Sequence, residues 1–446
     1  MSSSFADRYD VVIIGARCAG ATLAALMGRA GARVLLVDRA PLPSDLVLST
    51  HTLHPSGVRV LERLGLAARL EELAPPIRSV RLGRGAATLD IRLSGDDVEL
   101  CPRRRTLDGL LVDAAREAGV SVAPRTTATG LAREAGRVTG VRLVDREGRE
   151  ALVRAGTIVG ADGRDSFVAR AVGAREYLAY PAPRVIYWSY WPAPPGYGRS
   201  ADCPGMYVAN RAGSLHMVFH TEGEQVLVGS ATAREDAAPF RRDPLGALRR
   251  DVANDALLAA LTEAPPCEKV RGYIPERYFF REPVGPGWLL IGDAGITQDF
   301  VNGNGMSEAL RQAETAAAAL LAGEAALGRW WRERDVAALP MYQFGQIQGA
   351  PGAPSRLEER VLEHAARTPA IEQRFAASLA GELSPLAVVS PWTALRAVFA
   401  GLLRGELGLA ADLLQRARWI GELERIQARH RALLEGCRLP PPAPAA

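Results

Sequence analysis

Three glycine-rich segments carry charged side chains to places where a phosphate-bearing ligand could be held. The first is Gly15-Ala16-Arg17-Cys18-Ala19-Gly20, with Asp38-Arg39 beginning eighteen residues beyond Gly20. Glycines at its two ends let a strand turn sharply into a helix and let the two elements touch. The free N–H groups of the first helical turn then face an anion, and an acid at the end of the next strand accepts ribose hydroxyls. This is a dinucleotide fingerprint with one departure: Arg17 stands where the middle glycine is usual, so the backbone must approach a diphosphate despite a Cβ. The second segment is Gly160-Ala161-Asp162-Gly163-Arg164-Asp165-Ser166 with Arg170, and the third is Gly292-Asp293 followed by Gly303-Asn304-Gly305-Met306. Each follows an apolar run that delivers a carboxylate to a strand end. Any of them alone would read as a turn.

The elements that must position them are plain. Val11-Val12-Ile13-Ile14 is an apolar run of the buried parallel type, Ala19 to Gly31 is an alanine-rich helix, and Arg33 to Val37 is a second strand, giving a βαβ unit. Thr106 to Ala118 reads as an amphipathic helix with Leu107, Leu110, Leu111 and Ala114 on one face. Short strands follow at 120–123, 138–144, 151–154 and 157–159. Between Tyr177 and Glu282 the pattern is alternating and aromatic, as in an antiparallel sheet with one face on a pocket. Ser307 to Leu321 is helical, and the helical pattern from Ala325 to Leu434 is interrupted at 349–354, Pro369, Pro385 and Pro391, with a frayed PPPAPAA tail.

The three motifs, in this order, resemble those of FAD-dependent oxidoreductases of the para-hydroxybenzoate hydroxylase type, the single-component flavoprotein monooxygenases. The resemblance spans about the first 320 residues. It implies an α/β fold in which a Rossmann-like FAD-binding domain (1–76, 101–176 and 283–324) is interleaved with an antiparallel-sheet substrate domain (77–100 and 177–282), ahead of a helical C-terminal region (325–446). It also implies that Arg104, or Arg105 one register on, reaches the FAD phosphates, that Asp293 meets the ribityl chain, and that Asp162-Gly163 serves both FAD and a transiently bound NADH or NADPH. The expected FAD contacts are therefore Gly15, Arg17, Cys18, Ala19, Gly20, Asp38, Arg39, Arg104, Asp162, Asp293, Gly303, Asn304, Gly305 and Met306. A positive helix end at the third segment would favour anionic reduced flavin.

The implied reaction is hydroxylation or epoxidation of a small organic substrate, aromatic or polyketide-like, by way of a flavin C4a-hydroperoxide. Many relatives have His and Pro where this chain has Ile296 and Phe300, beside the flavin ring by resemblance, so oxygen handling is less secure than FAD. Other readings are a flavin reductase of prenyl-type double bonds, on the strength of the glycine-rich Val301 to Met306, and a non-catalytic flavoprotein. A flavin halogenase fits poorly: that chemistry uses an active-site lysine and a WxWxIP segment, whereas Lys269 is the single lysine and WSYWPAP does not match.

Tyr187, Tyr190 and His216 are the substrate-facing residues expected within the aromatic sheet, although Tyr187, Trp188, Tyr190 and Trp191 also read as core. His216 and His220 share a strand face but stand about 13 Å apart at ~3.3 Å per residue, too far to ligate one metal. No metal site is expected. Fifty-four basic against 50 acidic residues give only +4, with the basic residues scattered, which argues against nucleic acid. Five unpaired-looking cysteines suit a reducing, cytoplasmic setting. No signal peptide is recognisable, and Leu386 to Leu403, broken by Pro391 and Arg396, reads as a packed helix rather than a membrane span.

Overall fold

The computed structural model describes residues 5–6, 8–43, 52–199, 203–403 and scattered positions between 405 and 432. The β-branched run near the N-terminus forms the strand Arg8–Ile14 at the middle of a sheet, where Val11 pairs in parallel with Val34 of Val34–Asp38 on one side and with Thr157 of Glu150–Gly160 on the other. Val34–Asp38 is buried along its whole length, as a strand covered on both faces requires. One face is covered by the helices Cys18–Arg29, Arg104–Glu117 and Gly305–Leu321 through Leu23, Leu111 and Leu310. The other is covered by a hairpin that supplies Val138, Val141 and Leu143. The strand segments expected at 151–154 and 157–159 are one continuous strand, Glu150–Gly160, whose first half pairs with the hairpin and whose second half joins the parallel layer. Beside it Trp288–Leu290 adds in parallel and carries the chain to Gly292 and Asp293.

A seven-stranded sheet forms the second layer. Its order is Arg271–Tyr273, Arg184–Pro192, Gln225–Ala233, Ser214–Thr221, Met206–Arg211, Ser79–Arg84 and Ala87–Arg92. Trp188, Tyr190, Met217, Phe219 and Leu227 share one face with the side chains of Phe300 and Val301. The opposite face is covered by the helices Pro244–Val252 and Ala256–Thr262, in a stretch whose sequence was expected to be sheet. Asp243 accepts from Gly246 N at 3.0 Å ahead of Pro244, and this cap with a proline at the first helical position fixes a helix there. Glu176–Pro181 and Arg277–Arg281 do not join the large sheet either. With Ile296–Thr297 they form a separate three-stranded sheet.

The C-terminal helices begin with Glu324–Gly349, and Arg356–Ala365 and Pro369–Leu379 set Leu362, Ala365, Ile371 and Ala376 against Leu89 and Ile91 of the large sheet. The helix Pro391–Leu402 buries Ala397 and Val398 but leaves Trp392 75% and Phe399 65% exposed, so the face expected to be packed is half open. The 440–446 tail and Cys437 lie outside the described residues. Among the described residues no helix is long and apolar enough to cross a membrane.

The two layers are tied where the helix Arg104–Glu117 starts. Glu222, at the tip of a hairpin of the seven-stranded sheet, accepts from Arg103 N at 2.6 Å and from Thr106 Oγ1 at 2.8 Å. It thus caps a helix whose own N-cap residue supplies no side chain. Arg103 lies 3.3 Å above the Tyr190 ring and donates to Glu268 at 2.7 Å and Gln225 at 3.1 Å. Glu222→Ala should cost about 1–2 kcal/mol, the usual loss of a helix cap, and Glu222→Gln less, because an amide oxygen still accepts. Urea unfolding that finds both variants as stable as the wild type would contradict this tie.

Candidate functional site

The site is built on backbone contacts that tolerate no Cβ. Gly15 has φ +104°, and a Cβ there would sit 2.4 Å from the Ala161 carbonyl oxygen; one on Gly20 would sit 1.9 Å from the Gly15 oxygen. The first and second glycine segments are joined by Ala161 N donating to Ile14 O at 2.8 Å. The third meets the first at Gly292, φ +58°, where a Cβ would lie 2.9 Å from that of Ala19. All three segments therefore open onto one cleft.

The first turn of the helix Cys18–Arg29 has neither a side-chain cap nor an acidic residue, so its N–H groups and positive dipole end are offered to an anion. Cys18 and Ala19 contribute through this backbone, since both side chains are buried in the core. Asp38 accepts from Ala16 N through Oδ2 and from Ala40 N through Oδ1, both at 2.8 Å, which fixes the loop at the height of the strand end. Arg17 has a buried Nε without a partner. Arg39 is exposed beside Asp38.

Arg104 is turned inward and Arg105 is exposed. Arg104 Nη2 donates to both oxygens of Asp108, at 3.0 and 2.9 Å, while its Nε is buried without a partner. Burial opposes the guanidinium charge, but the Asp108 carboxylate outweighs it and holds the pKa above its ordinary value. Cys18 Sγ donates to Asp108 Oδ1 at 3.3 Å, and burial pushes that thiol up to about 12. It stays a neutral donor rather than a nucleophile.

Asp293 reaches solvent at the floor of the cleft yet is walled by protein. That enclosure raises its pKa by desolvation, and Arg164, Arg104 and Arg17 pull it back, so the three arginines converge on one carboxylate. Asp162 turns toward the short helix Phe167–Val172, accepting from Phe167 N at 2.7 Å, and leaves Oδ1 buried and unpartnered. Gly303 has φ +63°, and Asn304 provides no side-chain cap to the helix Gly305–Leu321. Gly305 is exposed with open space where a Cβ would be, whereas the Met306 side chain packs into the core and only its amide faces the cleft.

Two of the expected substrate-facing residues lie elsewhere. Tyr187 is on the opposite face from Trp188 and Tyr190, as strand alternation dictates, and stacks on Phe240 at 4.2 Å. His216 is on that same opposite face, between Asp251 at 3.6 Å and Asp255 at 3.7 Å, under the covering helices. Tyr190 alone of the three faces Phe300 and Val301.

Sequence reasoning missed His54. Its Nδ1 lies 2.7 Å from Glu99 Oε1 and its Nε2 2.8 Å from Asn302 O, while its backbone N donates to Ser307 Oγ at 2.9 Å. Burial disfavours the imidazolium, but Glu99 and the Asn302 carbonyl overcome this and raise its pKa. Asn302 Nδ2 in turn donates to Met341 O at 2.8 Å. The loop before Gly303 is thus gripped from two sides, by residues that no sequence spacing connects.

A family model described as an FAD binding domain matches residues 8–326. The digeranylgeranylglycerophospholipid reductase of Methanosarcina mazei is 28% identical over 328 residues, covering 72% of this chain and 75% of its own. A probable electron transfer flavoprotein-quinone oxidoreductase of Escherichia coli is 27% identical over 340 residues, covering 71% and 77%. Among solved structures, a flavin-dependent brominase superposes with a TM-score of 0.72 at 18% identity, over 89% of this chain and 100% of its own. The p-nitrophenol 4-monooxygenase of Pseudomonas putida gives 0.70 at 17% identity, over 85% and 100%. At such identities the structural match speaks to fold alone.

The unpartnered Nε atoms, the uncapped helix ends and the glycine cradle fit a dinucleotide diphosphate. Arg104→Leu leaves the Asp108 carboxylate buried without its partner and should cost about 3–5 kcal/mol of stability. The double variant Arg104→Leu/Asp108→Leu should recover most of that loss but still bind FAD at least about tenfold more weakly, since a charge-assisted contact is gone. Chemical unfolding and a flavin fluorescence titration separate the two effects; unchanged FAD affinity removes Arg104 from the site.

Proposed function

This chain is an FAD-dependent oxidoreductase belonging to the FAD binding domain family, and from that premise we propose that it is a monooxygenase. It takes electrons from NADH or NADPH and inserts one oxygen atom of O2 into a small apolar substrate, aromatic or polyketide-like. The observation that carries this reading is the apolar sheet face of Trp188, Tyr190, Met217, Phe219 and Leu227 set against Phe300 and Val301, next to the FAD cleft. A reactive oxygen species survives to reach substrate only where water is kept away, and such a face excludes it.

FAD, when bound, supplies the electron transfer and the activation of O2. The first-turn amides from Cys18 to Gly20 and the guanidinium of Arg104 would hold its diphosphate, Asp38 its ribose and Asp293 its ribityl hydroxyls. The amides from Gly303 to Met306 would meet the pyrimidine edge of the flavin and favour negative charge there. Trp188 Nε1 and Tyr273 OH are buried donors without partners on the apolar face or at its edge, available to orient polar atoms of a substrate. The net reaction converts substrate, O2, NAD(P)H and one proton into oxygenated product, water and NAD(P)+.

Ile296, at the place where the resemblance puts a histidine in many relatives, pairs with Phe280 and packs with Tyr278 and Tyr342, away from any proton-handling role. The reductase relatives support a second reading, in which the same apolar face holds a prenyl chain and a double bond is reduced without O2. Lys269 is exposed in the loop before Arg271–Tyr273, which counts against halogenation.

The deciding experiment reduces the FAD-loaded protein with NADPH in the absence of air, adds a panel of aromatic and prenyl substrates, and only then admits isotopically labelled O2. Monooxygenation predicts one labelled oxygen atom in the product. A saturated, unlabelled product formed before O2 is admitted establishes the reductase instead, and FAD that neither NADH nor NADPH reduces overturns both.

A further inference from the structure

The peptide between Asn302 and Gly303 is held at both of its polar ends. Its carbonyl oxygen lies 2.8 Å from His54 Nε2, and its N–H donates to Phe300 O at 2.9 Å. His54 also reaches the helix that follows the loop, its backbone N donating to Ser307 Oγ at 2.9 Å. These contacts bracket Gly303 to Met306, the stretch that carries the uncapped start of the helix Gly305–Leu321. The loop rests directly on the segment that carries the histidine: a Cβ on Gly303 would lie 3.3 Å from Thr52 Cβ and 3.6 Å from His54 Nε2.

Glu99 decides which way this histidine works. A carbonyl oxygen only accepts, so Nε2 must carry a hydrogen to hold Asn302. On the other side of the ring Nδ1 lies 2.7 Å from Glu99 Oε1, and both side chains are buried. One proton lies between Nδ1 and Oε1, and whether the ring or the carboxyl holds it, Nε2 remains the donor. Backbone pairing sets the two partners opposite each other. Leu53 and Leu100 exchange both of their hydrogen bonds, at 2.8 and 3.0 Å, which brings the next residues of each strand, His54 and Glu99, face to face.

We propose that His54, oriented by Glu99, is a positioning residue for the flavin. By holding the Asn302 carbonyl on its own buried side of the loop, it keeps the amides of Gly305 and Met306 offered to the pyrimidine edge of FAD, and so sets how strongly the site favours the reduced over the oxidised cofactor. The proposal rests on the reading that these amides meet that edge. Gly303, at φ +63°, is free on both sides of φ, so the peptide before it stays in place only while it is held. Released, its carbonyl can turn into the cleft and bring the negative end of a dipole toward a ring that gains negative charge on reduction.

Two variants separate the grip on Asn302 from the packing around it. His54→Asn keeps a donor where Nδ1 faces Glu99 and keeps the backbone bond to Ser307, but has nothing at the place of Nε2. The double variant His54→Gln/Glu99→Gln restores a donor there and leaves no buried carboxylate unpaired. Amide hydrogen exchange of the protein without FAD reads the loop alone, and the potential at which bound FAD is half reduced reads the effect on the flavin. His54→Asn should speed exchange from Gly303 to Ser307 at least about tenfold, the worth of one lost hydrogen bond to a buried acceptor. It should also weaken the preference for reduced FAD about tenfold, a fall of about 30 mV for two electrons. The double variant should stay close to the wild type in both. A His54→Asn protein with wild-type exchange or wild-type potential overturns the proposal, as does a double variant that falls as far as His54→Asn. Should His54→Asn not fold, nitrogen NMR of the histidine-labelled wild type decides: a protonated Nε2 at neutral pH is required, and a bare one overturns the proposal. A wild-type protein that binds no FAD removes the flavin reading and the proposal with it. The expected exchange and potential together with an unlabelled product under labelled O2 remove the monooxygenase reading and leave the role of His54 standing.

Discussion

A Cβ on Gly20 would lie 1.9 Å from one carbonyl oxygen and a Cβ on Gly15 2.4 Å from another, so strand, helix and second glycine segment meet through bare backbone. Gly292 extends the same contact to the third segment by packing on Ala19. Close-packed interiors relax little around an extra methyl group, so these positions set the separation of the elements and not merely their turns. The uncapped helix end and the strand-end carboxylates Asp38 and Asp293 reach one cleft only because that separation is so small.

Electrostatics then works with the few charges the packing admits. Asp108 engages Arg104 and Cys18 together, which keeps a guanidinium pointed inward and a thiol protonated. A buried pair of this kind is weak evidence for stability, and its value lies in orientation. Arg104, Arg17 and Arg164 act on Asp293 from separate elements, so the carboxylate at the cleft floor is surrounded by donors suited to a ligand with phosphate and hydroxyl groups.

The parallel layer was legible because a strand buried on both faces needs an unbroken apolar run, and Val11 to Ile14 has no other use. The glycine segments were legible for the related reason that only glycine meets their steric demands. The covering helices Pro244–Val252 and Ala256–Thr262 went unread although Leu245, Leu248 and Val252 recur at helical spacing behind Asp243 and Pro244; the aromatic alternation of the strands on either side dominated the stretch. Tyr187 and Tyr190 are three apart, an odd separation that puts them on opposite faces, so expecting both in one pocket conflicted with the strand's own period. His54 was illegible in principle, since its partners Glu99 and Asn302 adjoin it only after the sheets close.

The third glycine segment is anchored at several separate points. Ile296 is a strand residue facing Phe280, Asn302 is gripped by His54 and Met341, and Asp299 caps Val301 in the notch left by Gly345 and Gly349. A loop anchored at so many points presents Phe300 and the Gly303 to Gly305 backbone in one geometry, and Phe300 touches Tyr273 of the seven-stranded sheet with ring centres 6.4 Å apart.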